Sequence, residues 1–264
     1  MTAKEVLDVA QTLYEKHRAT SYPRTDSQYL PLTIWKDEAR GILNALSGID
    51  EMSDLGPKAD PQLRSPAWDD SKVTDHHGII PTSEFKASKL IAMSSQERAV
   101  FMLIARSFLA QFFPNFRYRA ISADILCMEE HFKATGRQTV DVGWKVVHGE
   151  TAENEEGETN QSIPEMARGD QVQAKGGELN PKRTSPPPAF TDGTLVQAME
   201  NIHRFVTDEA VKKKLRENSG IGTPATRGDV IENLVKRSKF LDRRGKVVRQ
   251  SPALPTVLST SPSW

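Results

Sequence analysis

The sequence predicts an α+β protein of more than one domain, with helices at both ends and strands between them. Two helix-start patterns, each followed by a stripe of apolar residues, lie within residues 1–116. Strand-like stretches punctuated by glycine follow over 117–186, and helical patterns return over 187–250. Residues 251–264 are rich in serine and proline, so we expect a loosely ordered tail.

The first helix is predicted by the spacing of Thr2 and Glu5, which fits a capping box. Its apolar stripe consists of Val6, Leu7, Ala10, Leu13 and Tyr14. Because proline disfavours helical backbone at the residue before it, Pro23 places Tyr22 on non-helical chain close to the end of this helix. A second helix is predicted over residues 32–46.

The next segment, 56–73, contains three prolines and several aspartates and is predicted to be a long loop. Ser94 and Glu97 then form another capping box ahead of an apolar stripe. That helix should end before Pro114, since proline cannot continue a helix. The first part of the chain is therefore expected to be helical.

Strand-like composition marks residues 121–128, 139–147 and 170–174 of the middle part. The acidic run at 150–158 is predicted to be a loop tip. Three consecutive prolines at 186–188 mark the boundary of the third part. There, residues 195–205 and 230–240 are predicted to be helical.

Composition excludes some classes of protein. No apolar run approaches the roughly 18 residues that span a bilayer, and the first residues lack the layout of a signal peptide, which favours the cytoplasm and no membrane partner. The single cysteine, Cys127, excludes an internal disulfide.

The charge is divided unevenly along the chain, although its sum is zero. Residues 121–170 hold 11 acidic and 4 basic residues, a balance of −7, whereas residues 201–250 hold 13 basic and 6 acidic residues, a balance of +7. The basic part could neutralise phosphates, although a solvated helix surface gives the same pattern.

The first candidate motif is Tyr-Pro-Arg-Thr-Asp-Ser at 22–27. Tyrosine can act as a covalent nucleophile if its surroundings favour the phenolate or accept its proton. Arg24 offers a planar cation suited to phosphate oxygens, on which negative charge grows during attack. A turn with a surface arginine remains the alternative interpretation of these six residues.

Two further motifs complete the pattern. His76 and His77 lie in Asp-His-His-Gly-Ile-Ile-Pro-Thr at 75–82 and are suited to phosphate binding or proton transfer. A metal site is disfavoured because adjacent histidines point in different directions and no further ligand lies at a suitable spacing. The third motif, Gly-Ile-Gly-Thr-Pro-Ala-Thr-Arg at 220–227, precedes a predicted helix, whose N-terminus attracts anions.

Together and in this order, the three motifs resemble those of the type IA DNA topoisomerases, and the His-His pair and the proline after the tyrosine resemble the topoisomerase III kind. The resemblance extends from about residue 2 to residue 248. It implies a helical domain that carries the nucleophile over 1–116, a β-rich arch over 117–186 and the start of a helical, basic DNA-binding domain over 187–250.

The resemblance also implies roles for individual residues. Tyr22 would attack one DNA strand and form a 5′-phosphotyrosine link, while Arg24 and His76 would contact the scissile phosphate. Another strand would pass through the gap and the break would be resealed without ATP, which relaxes or decatenates DNA. The DNA-binding residues would be Thr25, Asp26, Ser27, His77, Thr223, Thr226 and Arg227, and the main partner would be single-stranded DNA.

Members of this family also have a toprim domain, whose acidic cluster binds Mg²⁺, and no Asp-x-Asp motif occurs in this sequence. We therefore expect the Mg²⁺ ligands to lie outside this chain, a toprim-containing polypeptide to be needed in trans, and the chain to be a fragment with little activity alone.

One alternative to a topoisomerase fragment is a remnant that binds single-stranded DNA without chemistry. Another is an interaction protein whose acidic middle meets a basic partner. A tyrosine recombinase is excluded because its nucleophile follows its arginine and histidine helpers.

Overall fold

The computed structural model of the chain describes residues 1–73, 75–151, 163–164 and 166–252. Most of the acidic run and almost all of the serine- and proline-rich tail lie outside these residues, so the predictions for both concern undescribed chain. The described residues form a mixed helix and sheet structure, as predicted. No helix among them is long and apolar enough to cross a membrane.

Helix α1, Ala3–Glu15, begins where the sequence predicted it. The Thr2 side chain accepts a hydrogen bond from the Glu5 backbone N–H, and the Glu5 carboxylate accepts one from the Thr2 N–H. Ala10 and Leu13 are buried, and Leu13 belongs to the main hydrophobic core. The chain leaves α1 through Arg18, which has a left-handed φ of 48°, shortly before the tyrosine motif.

The helix predicted over 32–46 is divided into α2, Leu32–Asp37, and α3, Ala39–Ser47. The break lies at Glu38, where φ is −116°. In one straight helix the side chains of Ile34 and Leu46 would point about 120° apart, because each residue turns the helix by about 100°. The break lets both side chains enter the same core.

The predicted loop over 56–73 is confirmed as irregular chain with two short 3₁₀ turns, Gly56–Lys58 and Asp70–Lys72. It is nevertheless fixed to the core through Trp68, which is 4% exposed and packs against the rings of Phe108 and Phe112. This loop therefore forms a wall of the first domain.

Helix α4, Ser95–Leu109, has the predicted capping box between Ser94 and Glu97. The Ser94 backbone N–H and then its hydroxyl lower the pKa of Glu97. A 3₁₀ turn, Ala110–Phe112, ends the helical path before Pro114, as predicted. Helices α1 and α4 pack together around the aromatic core.

Strands β1, Arg117–Cys127, and β2, Glu130–Asp141, form one antiparallel ribbon. Met128 starts the two-residue turn between them with a φ of 54°. The strand predicted over 139–147 is wrong beyond Asp141, because Gly143–His148 is a 3₁₀ turn. This turn is seated on the first domain, where the Trp144 N–H donates to the Pro114 carbonyl over 2.8 Å.

The strand predicted over 170–174 is also wrong. Residues 171–190 have no regular secondary structure and are exposed. Within the described residues, the only strands of the middle part are thus the two of the ribbon.

The third part contains three helices, α5 Asp192–Glu200, α6 Glu209–Glu217 and α7 Arg227–Lys236. A hairpin of β3, Leu241–Arg244, and β4, Val247–Gln250, follows. The sequence predicted α5 and α7 with shifted ends and missed α6 and the hairpin.

Arg243 joins the hairpin to both predicted helices of the third part. Its guanidinium binds Asp192 of α5 through two hydrogen bonds of 3.0 and 2.8 Å and Glu232 of α7 over 2.9 Å. Lys236, followed by Arg243, lowers the pKa of Glu232. Val248 of the hairpin and Ile231 of α7 are both buried, so the hairpin is a packed element of this part of the chain.

Candidate active site

The chain around Tyr22 is tied at both ends to the segment that carries the histidine pair. The Ser21 N–H donates to the Ile80 carbonyl over 2.8 Å, and the Ile80 N–H donates to the Ser21 hydroxyl over 3.0 Å. At the other end, the Gly78 N–H donates to the Tyr29 carbonyl over 2.8 Å. These bonds place the first two sequence motifs side by side.

Tyr22 lies between two aromatic rings. The His76 ring centroid is 4.8 Å from that of Tyr22, with the planes tilted by 43°. The Tyr14 ring, from the last turn of α1, is 5.6 Å away in an edge-to-face arrangement of 81°. The structure therefore brings the predicted nucleophile and the predicted phosphate-binding histidine into contact, and adds Tyr14, which sequence reasoning assigned only to an apolar stripe.

The rest of the tyrosine motif divides into exposed charges and turn-forming hydroxyls. Arg24 and Asp26 are exposed, and within the described residues neither forms a hydrogen bond or ion pair. The Thr25 hydroxyl accepts from the Ser27 N–H over 3.0 Å, and the Ser27 hydroxyl accepts from the Tyr29 N–H over 3.1 Å. The two hydroxyls thus shape the turn, while the Arg24 guanidinium faces solvent.

The side chain of His77 has different neighbours from that of His76. Its Nδ1 lies 2.7 Å from the Gly78 carbonyl oxygen, and its side chain lines an open cleft of about 600 Å³ beside Tyr14. The adjacent histidines therefore occupy different surroundings. Among the described residues, no three histidine, cysteine or acidic side chains converge as metal ligands.

The glycine-rich loop at 220–227 is a tight turn that only glycine can form. Gly220 has a φ of 89°, and a Cβ there would lie 2.2 Å from the Met199 carbonyl oxygen. Gly222 has a φ of 70°. The exposed Thr226 hydroxyl accepts from the Thr223 N–H over 2.9 Å, which closes the turn at the start of α7.

Arg227 points into the protein, although sequence reasoning offered it as a DNA contact. Its guanidinium donates to the carbonyls of Ile221 and Ser219, over 3.1 and 2.7 Å, and to the Glu200 carboxylate, over 2.7 Å. The residue is 2% exposed. Its geometry is that of a brace for the loop, with Thr223 and Thr226 left on the surface.

Helix α7 also contacts the N-terminal end of α1, a connection that the sequence did not reveal. A Cβ at Gly228 would lie 3.2 Å from the Lys4 Cα, so glycine allows the two backbones to approach closely. Lys4 pairs with Asp229 over 3.0 Å. One end of α1 therefore lies against the glycine-rich loop's helix, and the other end carries Tyr14 beside Tyr22.

The structure thus presents a tyrosine beside a histidine, an exposed arginine in the same motif as the tyrosine, and a braced glycine-rich turn at the start of α7. Residue types of these kinds can contact phosphate oxygens. A family model described as DNA topoisomerase matches residues 1–254. The chain therefore belongs to the DNA topoisomerase family, which confirms the resemblance found in the sequence.

Curated relatives indicate which DNA topoisomerases the chain is similar to. The chain is 40% identical to DNA topoisomerase 3 of Vibrio cholerae over 262 residues, 37% identical to that of Salmonella typhimurium over 264 residues, and 35% identical to that of Bacillus subtilis over 254 residues. These alignments cover 99%, 99% and 93% of this chain. They cover 40%, 39% and 34% of the relatives, so the chain spans well under half of their length.

Proposed function

We propose that this chain carries the nucleophile of a type IA topoisomerase active site and cleaves one DNA strand through Tyr22. The observation that supports this most directly is the packing of the His76 ring on the Tyr22 ring at 4.8 Å. Tyr22 and His76 are 54 residues apart in the sequence. The alternative interpretation, a turn with a surface arginine, does not account for their contact.

In the proposed reaction the Tyr22 phenol loses its proton and its oxygen attacks a backbone phosphorus. A bond from the phenol oxygen to phosphorus forms, and the bond from phosphorus to the 3′ oxygen breaks. The 3′ oxygen takes up a proton, and the 5′ phosphate stays on Tyr22. The reverse transfer reseals the strand after another strand has passed, and no ATP is consumed because the phosphodiester energy is kept in the link.

Arg24 and His76 are proposed to hold the scissile phosphate. Arg24 is exposed and unpaired within the described residues, so its guanidinium is available to phosphate oxygens. His76 is exposed beside Tyr22 and can donate a hydrogen bond to the same group. Asp26 and His77 are proposed to contact flanking nucleotides, while Thr25 and Ser27 set the shape of the turn that presents them.

Single-stranded DNA is the proposed partner of the third part. The exposed Thr223 and Thr226 lie at the N-terminal end of α7, where backbone N–H groups and the helix dipole favour a phosphate. Arg227 is proposed to act through the loop that it braces. The basic balance of residues 201–250 supports binding that weakens as salt rises.

Mg²⁺ is expected for the family, and it supplies charge stabilisation at the phosphate when bound. The described residues do not fit such an ion, because no group of three potential ligands converges among them. No step above is therefore assigned to a metal held by this chain. Its ligands are proposed to come from a toprim-containing polypeptide.

Mixing this chain with such a polypeptide, Mg²⁺ and a labelled single-stranded oligonucleotide tests the proposal. A covalent adduct should form with the wild-type chain and disappear in Tyr22→Phe, while DNA binding persists in both. Tyr29→Phe is the matched control and should keep the adduct. The chain alone should relax supercoiled plasmid poorly. If the mixture gives no adduct but salt-sensitive binding remains, the second candidate, a single-strand-binding protein without chemistry, is correct.

A further inference from the structure

We propose that Tyr14 is a positioning residue that fixes the direction in which the Tyr22 phenol points. The two rings are 5.6 Å apart at 81°, the geometry of an edge-to-face pair. The consequence for cleavage rests on the proposed function. The consequence for side-chain orientation does not, because it follows from the contact itself.

Few other groups constrain the Tyr22 side chain. Its backbone lies outside regular secondary structure, and within the described residues its hydroxyl forms no hydrogen bond. Rotation about its Cα–Cβ bond is therefore limited by the rings packed against it, which are those of Tyr14 and His76. The side chain of a free surface tyrosine would exchange between staggered rotamers.

The rings of His76 and Tyr14 differ in the secondary structure that supports them. His76 is exposed and lies on an irregular segment. Tyr14 lies on α1, a capped helix whose Leu13, next in sequence, is fully buried in the aromatic core. Tyr14 is therefore the ring with the more rigid support. It leaves 39% of its own surface exposed, so it contributes little to the core itself.

Orientation matters because covalent attack needs the nucleophile held close to its target and in line with the leaving group. A Tyr22 phenol that samples several rotamers would spend only part of its time in the reactive one. An edge-to-face pair biases such an equilibrium by about 2- to 10-fold. The ring of Tyr14 supplies this bias and its hydroxyl does not, so phenylalanine should replace it and leucine should not.

Nuclear magnetic resonance can measure the orientation without any reaction. The chain has four tyrosines, and Tyr22→Phe identifies the Tyr22 signals. Three-bond couplings about the Tyr22 Cα–Cβ bond should report one dominant rotamer in the wild type and in Tyr14→Phe, and averaged values in Tyr14→Leu. Tyr118→Leu, on the ribbon, is the control and should leave Tyr22 unchanged. A single unchanged Tyr22 rotamer in Tyr14→Leu would overturn the proposal.

The rate of adduct formation then tests the consequence. At saturating DNA, with the toprim polypeptide and Mg²⁺ present, Tyr14→Leu should form the adduct about 2- to 10-fold more slowly. DNA affinity and melting temperature should not change, and Tyr14→Phe should restore the rate. An equal rate in the wild type and Tyr14→Leu would also overturn the proposal. If the wild type forms no adduct, the proposed function fails and the rotamer measurement alone decides the role of Tyr14. Should Tyr14→Leu not fold, Tyr14→Met serves in both measurements.

Discussion

Replacing Arg227 by lysine distinguishes two possible roles of this residue, holding the glycine-rich loop in place and binding DNA directly. The guanidinium satisfies three acceptors that lie in different directions, two backbone carbonyls and the Glu200 carboxylate. Lysine keeps the charge but presents it at a single point, so it cannot reach all three. If Arg227 bound a phosphate directly, the retained charge would preserve most of the affinity and the folding free energy would hardly change.

The cost can be worked out from the contacts. A hydrogen bond from a charged donor contributes about 1.5–3 kcal/mol, and a buried acceptor left unpaired costs about 1–3 kcal/mol. The Glu200 side chain is 46% exposed, so water replaces most of its lost contact. One of the two carbonyls can still be reached by the lysine ammonium. We therefore expect Arg227→Lys to lose about 2–3 kcal/mol of folding free energy.

Urea unfolding and titration with a single-stranded oligonucleotide at two salt concentrations measure both effects. Arg227→Lys should be less stable by that amount and should bind more weakly, with an unchanged dependence on salt because the phosphate contacts are made elsewhere. Arg237→Lys, exposed at the end of α7, is the matched control and should change stability by less than about 0.5 kcal/mol. A stability loss below about 0.5 kcal/mol in Arg227→Lys would refute the brace.

Four further predictions follow from the local geometry and charge. Gly220→Ala should destabilise the third part and weaken DNA binding, because its Cβ would meet the Met199 carbonyl at 2.2 Å. Gly193→Ala, whose Cβ meets nothing within 4 Å in α5, should instead stabilise by about 0.5–1 kcal/mol in urea unfolding. Because its partners lower the pKa of Glu232, that residue should stabilise the fold above its ordinary pKa of 4.5, and this contribution should vanish as pH falls through the lower folded value. Denaturation followed at pH 3 to 6 in Glu232→Gln should show a weaker acid dependence than in the wild type. Ser94→Ala should cost about 1 kcal/mol by removing the cap of α4, measured as a lower melting temperature.

Local chemistry explains why the starts of helices α1 and α4 could be predicted. A capping box and the apolar stripe behind it lie within a few residues, so Thr2 and Ser94 marked the starts of α1 and α4 correctly. The break at Glu38 could not be predicted in this way. It depends on where Ile34 and Leu46 must point to share one core, which is a property of the packed domain.

In the middle part of the chain, composition alone predicted part of the secondary structure incorrectly. Residues 142–147 have a strand-like composition, but Gly143 adopts a φ of 52° and its turn is fixed by the Pro114 carbonyl. Composition does not reveal this long-range contact. The first residues of β2 have a low β-propensity as a group and are extended because they pair with β1; they are Glu130-His131-Phe132-Lys133.

The motifs of the candidate site could be predicted from the sequence, but the directions of their side chains could not. Pro23 predicted that Tyr22 lies on non-helical chain after α1, and the family resemblance implied His76 as its helper. The two rings are in contact. The sequence could not show that Arg227 points inward. An arginine beside a glycine-rich turn gives the same local sequence whether its side chain faces DNA or the protein interior. Nor could it assign Tyr14 to the site, because an aromatic residue in a helical stripe is usually a core residue.

Helix α1 connects the surroundings of Tyr22 with the helix that follows the glycine-rich loop, at a fixed distance and a fixed angle about its axis. Its Lys4 end lies against Gly228, and its Tyr14 end lies against Tyr22, about 15 Å further along. Adding one residue between them would advance the Tyr14 end by about 1.5 Å and rotate it by about 100° about the axis. The helix would remain a helix, yet its aromatic end would face away from the tyrosine. The spacing between Lys4 and Tyr14 is therefore constrained by angle as well as by distance.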